Sequence, residues 1–124
     1  MTVKELYESI NGNYESALKT LMTDSLIEKF IAKIPDDPSC PELLKAAETM
    51  DSKLLFESSH AMKGVYANLG LEKLSQAASI ITEEFRPGHE RSMSDEAVKE
   101  KIEEIRTLYE STVAAIQSYL QPNS

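Results

Sequence analysis

The stretch Ser59-His60-Ala61-Met62-Lys63-Gly64-Val65-Tyr66-Ala67-Asn68-Leu69-Gly70-Leu71 decides the fold. It reads as the end of one continuous helix that stops at Gly70, with a second helical pattern beginning at once from Leu71. Two helices joined by so short a turn form an antiparallel hairpin. Within the first of them, Gly64 costs about 1 kcal/mol relative to alanine. Such a residue needs a reason, and one reason is that something must come very close to the helix beside His60.

Working outward, the rest of the chain also reads as helix. Only four glycines occur in 124 residues, and no stretch alternates with period two. Thr2 and Glu5 predict a capping box for a short first helix ending near Asn11-Gly12. Asn13 is expected to cap a second, carrying Tyr14, Ala17, Leu18 and Leu21. Asp24 is expected to cap a third, with Leu26, Ile27, Phe30, Ile31 and Ile34 on one face. Pro35-Asp36-Asp37-Pro38 breaks that pattern. Ser39 and Glu42 predict another capping box, with Pro41 harmless in the first turn, ahead of a helix that buries Leu43, Leu44, Ala47 and Met50.

The hairpin helices are expected over about 52–69 and 71–85. A last helix starts near Ser92 or Ser94 and reaches about Leu120, with Val98, Ile102, Ile105, Tyr109, Val113, Ile116 and Leu120 as its stripe. The polar segment 86–93 is expected to be a mobile loop. The fold class is therefore all-α: one domain over residues 1–124, in which 39–120 form an up-down four-helix bundle and 1–35 supply additional short N-terminal helices as a cap or lid.

Thirteen basic against twenty-one acidic residues leave a net charge of −8, which argues against a nucleic acid or an anionic membrane as partner. No apolar run approaches the ~20 residues needed to span a bilayer, and Met1-Thr2-Val3-Lys4-Glu5 lacks the order of a signal peptide. The one cysteine, Cys40, has no internal disulfide partner. It reads as a bystander thiol at a helix start and fits a reducing, cytoplasmic setting.

A helix advances about 100° per residue, so the surroundings of His60 can be worked out. Phe56, Glu57, Lys63, Gly64 and Ala67 fall within about 60° of it. Leu55, Ser58, Met62, Val65 and Leu69 cluster on the opposite, core side. His60 is thus expected to face outward or to sit at a helix seam, which weakens the reading of a satisfied core histidine. Around a turn at position 71, His60 comes level with Thr82, in a polar stripe of Ser75, Ser79, Thr82 and Arg86. A hydroxyl there could take the Nδ1–H of His60, fix the tautomer and leave Nε2 as the nucleophile. The plainer reading of that stripe is a solvated helix face.

Glu57 and His60 match the Glu-x-x-His pair of di-iron bundles, but those sites need a second such pair and two further glutamates. The other histidine, His89, has Arg86 at that offset and reads as a solvated loop residue, so no metal is expected. No glycine-rich phosphate cradle or Walker-type lysine is present, and no concave pocket for a hydrolytic triad is expected in so small a bundle. What a neutral imidazole beside a lysine suits is acceptance of a phosphoryl group, a transfer that needs in-line positioning and stabilised charge. Lys63 offers a point charge for the phosphoryl oxygens. Gly64 and Ala67 keep the helix low for a descending partner, and Phe56 is either a docking side chain or a bundle-edge core residue.

These residues resemble the histidine-containing phosphotransfer (HPt) domain of multistep phosphorelays. The family pattern is a His, a hydrophobic residue two on, Lys-Gly, small residues, then Gly after a hydrophobic residue. Here it reads His60, Met62, Lys63-Gly64, Ala67 and Leu69-Gly70. The resemblance covers roughly 39–86, and Gly12-Asn13-Tyr14-Glu15-Ser16-Ala17-Leu18 looks like the lead-in of such domains.

The resemblance implies a stand-alone phosphocarrier of two-component signal transduction. It implies that His60 Nε2 takes the phosphoryl group from a receiver-domain aspartyl phosphate, of a hybrid kinase or a response regulator, and hands it to another receiver. It also implies no kinase site and no cofactor on this chain, with Mg²⁺ on the receiver. Lys63 then stabilises phosphate, Gly64 gives access, and Phe56, Glu57, Ala67 and Ser79 line the docking face. A monomer is expected. One position departs: family members often hold the histidine with Glu or Gln, where this chain has Thr82, with Glu83 on a different face. The Thr82 bond is then direct but weak, water-mediated or absent. The competing class is a helical adaptor that docks receivers without phosphotransfer.

Overall fold

The computed structural model describes residues 1–121, so the last three residues of the expected 1–124 domain lie outside the described residues. The described residues hold seven α-helices and no strand. The helices are α1 (Val3–Ser9), α2 (Tyr14–Leu21), α3 (Asp24–Ile31), α4 (Ser39–Thr49), α5 (Ser52–Asn68), α6 (Glu72–Glu84) and α7 (Asp95–Leu120). A single 3-10 turn, Ile34–Asp36, lies between α3 and α4. No helix among the described residues is long and apolar enough to cross a membrane.

Most of the expected helix starts are present. Thr2 and Glu5 form the reciprocal capping box on α1, and Asn13 Oδ1 accepts the Ser16 N–H at the start of α2. Two caps differ. Thr23, in extended conformation, caps α3 through the Leu26 N–H, and Asp24 occupies the first turn, where its charge still complements the helix dipole. There it accepts the Tyr14 hydroxyl. Ser39 makes no capping box with Glu42, because the helix begins one residue earlier, with Pro38 as its cap. The Asp37 carboxylate takes the Ser39 N–H and hydroxyl instead.

One apolar cluster runs from Val3 through Ile27, Leu43, Leu55, Met62, Tyr66 and Ile81 to Ile116. The stripe expected on α3 is split: Ile27 and Ile31 are buried, whereas Leu26 and Phe30 keep 40% and 38% of their surface. Helix α5 packs against α4 and α6, and α7 touches both α4 and α6, so the four longer helices contact one another in a ring. The N-terminal helices close one end. Tyr7 donates its hydroxyl to Leu69 O at 2.6 Å, and Asn13 N–H donates to Gly70 O at 2.8 Å. Gly70 has φ +68°, and a Cβ there would lie 2.3 Å from Asn13 O. Only glycine satisfies both that left-handed turn and that approach. The turn ends α5 and fixes where the hairpin reverses.

The segment after α6 carries an anchor that its polarity conceals. Glu84, with 3% of its side chain exposed, accepts Arg91 Nε at 3.0 Å, the Ser92 N–H and hydroxyl at 2.9 Å each, and the Met93 N–H at 2.8 Å. Burial alone would raise its pKa. The hydrogen bonds, led by the Met93 N–H, outweigh burial and bring the carboxyl down to about 2. The expectation of a mobile 86–93 loop overlooks this buried carboxylate.

Candidate functional site

Helix α5 runs seventeen residues, capped by Asp51 through the Leu54 N–H. Its inner face is Leu55, Ser58, Ser59, Met62 and Tyr66, all buried, and its outer face carries His60, Ala61, Gly64 and Ala67, all exposed. His60 therefore points where the 100° arithmetic placed it. Lys63 and Phe56 are half-buried at the edges of that face, and Glu57 is exposed beside them.

Gly64 has no atom within 4 Å of the position a Cβ would take. Neither backbone strain nor packing inside the chain accounts for a glycine there, since it lies within a regular helix. Besides its cost to the helix, what the glycine leaves is an open surface beside His60.

Among the described residues, no hydrogen bond is made by either ring nitrogen of His60. The ring sits against Phe56, centroids 5.6 Å apart and planes tilted by 30°. Phe56, which also packs against the core, carries Arg86 over its ring, with Cζ 5.5 Å from the centroid. Arg86 in turn grips Glu83 with two nitrogens, at 3.0 and 2.6 Å. That bond, with weaker pulls from Lys63 and His89, holds the Glu83 carboxyl below its usual range. Phe56 thus links His60 to a second cation. The sequence reading placed Arg86 in the polar stripe without giving it a role at the histidine.

Thr82 makes no hydrogen bond to His60. Its hydroxyl is fully buried and lies 2.9 Å from Ser59 Oγ and 3.0 Å from Ala78 O, while Ser59 donates to Phe56 O at 3.1 Å. The two helices are level there, as the turn at Gly70 requires, but Thr82 faces into the seam and His60 faces away from it. The residue that meets Thr82 is the neighbour of His60. Ser75 likewise faces the seam and donates to Lys63 O at 3.2 Å, and Ser79 is half-buried. Ser75 and Thr82 therefore belong to a helix–helix contact, Ser79 keeps part of its surface, and Arg86 is exposed. The stripe as a whole is not a solvated face.

Cys40 is fully buried, and burial pushes its thiol up to about 12, so it is no nucleophile. Tyr66, also fully buried, takes no hydrogen bond through its hydroxyl. Among the described residues no group of three or more His, Cys, Asp and Glu side chains converges as a metal site would require. A groove of about 390 Å³ lined by Leu21, Phe30, Val65 and Asn68 lies toward the C-terminal end of α5 and does not include His60. The chain matches no protein-family model, no curated protein and no solved structure.

Proposed function

We propose that the chain is a histidine phosphocarrier of the HPt type, built as an up-down four-helix bundle (α4–α7) with the short N-terminal helices as its cap. The observation that carries this reading is the pairing of an exposed, unbonded His60 with an unobstructed Gly64 one turn on. In the proposed step the Nε2 lone pair attacks the phosphorus of a receiver aspartyl phosphate. The P–O bond to the carboxylate breaks, the carboxylate leaves with the electron pair, and Nδ1 keeps its proton. Lys63 offsets charge on the phosphoryl oxygens, and Mg²⁺ belongs to the receiver. Phe56, Glu57, Ala67 and Ser79 are the proposed docking surface.

A second reading is a receiver-docking adaptor without phosphotransfer. It is favoured by one observation: among the described residues, no side chain hydrogen-bonds a ring nitrogen of His60. Mixing the protein with an acetyl-phosphate-charged receiver separates the two. Acid-labile phosphate on the wild type, absent from His60→Gln and acquired slowly by a folded Lys63→Ala, supports the carrier. Receiver binding with no transferred phosphate supports the adaptor.

A further inference from the structure

We propose that Glu83 is a resident anion that competes with the phosphoryl group of His60 for Arg86, and so weakens the chain's hold on its phosphoryl load. The proposal rests on the phosphocarrier reading. Four side chains lie in sequence: the His60 ring against the half-buried Phe56, the Arg86 guanidinium over the same Phe56 ring, and Glu83 bound to Arg86 through both carboxylate oxygens. Lys63, three residues on from His60 in α5, also exerts a weaker electrostatic pull on Glu83.

The pairing is reversible by its nature. Arg86 and Glu83 keep 44% and 56% of their side-chain surface, and exposed pairs of this kind are weak. A phosphoryl group on His60 would bring a charge of about −1.5 to −2 and three acceptor oxygens. A guanidinium binds such a group in the same bidentate manner as a carboxylate, and more strongly for the greater charge. Arg86 then leaves Glu83 for the phosphoryl oxygens by swinging about Phe56. When a receiver removes the phosphoryl group, Glu83 takes Arg86 back. The carboxylate thus favours onward transfer over retention.

The test is the equilibrium distribution of phosphoryl between one receiver and this chain, measured for wild type, Glu83→Gln, Arg86→Gln and the double variant. All four are expected to remain folded, since both side chains are exposed, and circular dichroism checks this. Glu83→Gln should shift the distribution toward the chain on the order of fivefold, the factor corresponding to about 1 kcal/mol. Arg86→Gln should shift it toward the receiver, and the double variant should match Arg86→Gln, because Glu83 acts through Arg86. An unchanged distribution in Glu83→Gln overturns the proposal. So does a Glu83→Gln gain that persists without Arg86, which would be plain charge removal. Wild-type protein that takes no phosphoryl group fails earlier, and overturns the carrier reading with it.

Discussion

Thr82 and Ser59 share a hydrogen bond of 2.9 Å across the α5–α6 seam, and neither residue has any exposed surface. The hydroxyl best placed along the chain to steady His60 is committed to holding the two helices together. Thr82→Val keeps the shape and removes the buried hydroxyl shared between Ser59 Oγ and Ala78 O. It should lower stability by about 1 kcal/mol in urea unfolding and leave the loading of His60 unchanged. A folded Thr82→Val protein with abolished loading would show that the hydroxyl reaches the imidazole after all.

Gly64 sets stability against access. With no atom near its missing Cβ, Gly64→Ala should stabilise the protein by about 0.5–1 kcal/mol. Gly64→Leu should also remain folded, yet lose transfer from a receiver while still being loaded by a small donor such as phosphoramidate. Receiver transfer at the wild-type rate in Gly64→Leu would remove the reason for a glycine there.

Glu84 ties the stability of the 86–93 segment to pH. Its carboxyl falls from an ordinary 4.5 to about 2 in the fold, so the fold favours the charged form. The resulting stabilisation is complete above about pH 5 and declines as the pH falls from there toward 2. Glu84→Gln should cost roughly 1.5–3 kcal/mol at neutral pH. The difference between wild type and variant, followed by denaturation from pH 7 to 2, should shrink across that window. A pH-independent difference would contradict the ionic anchor.

Tyr66 buries a hydroxyl that makes no hydrogen bond, a cost of about 1–3 kcal/mol for an unpaired polar group. Tyr66→Phe removes the group and keeps the ring, so the variant should unfold at a higher denaturant concentration than wild type. A less stable variant would mean that the hydroxyl is satisfied in solution.

How far the sequence could be read differs from feature to feature. The all-helical class, the reversal at Gly70 and the outward direction of His60 follow from local rules: proline and glycine punctuation, and 100° per residue. The caps at Thr23 and Pro38 lie one residue before the positions expected: Thr23 and Asp24 can both accept the first N–H groups of α3, while Pro38 offers no acceptor and Asp37 takes the Ser39 N–H instead. Of the three possibilities for Thr82, the absent bond is the one in the structure, for a definite reason. Counting from a turn gives the level of a residue along a hairpin but not the direction it faces. Glu84 had a legible signal, a lone carboxylate in register with Ala77 and Ile81 on the buried face of α6. Its partners, Arg91 to Met93, lie in a loop whose path no periodicity describes. The link from Phe56 on α5 to Arg86, just beyond the end of α6, is visible only once the chain is packed.

The most direct test locates the phosphoryl group itself. The protein is loaded from a phosphorylated receiver, and the product is read by phosphorus NMR and by mass spectrometry of its peptides. A phosphoramidate on His60 Nε2, absent from His60→Gln, is the predicted result. Phosphate on His89, on a hydroxyl or carboxylate, or on no residue at all would contradict the assignment of this chain as a histidine phosphocarrier.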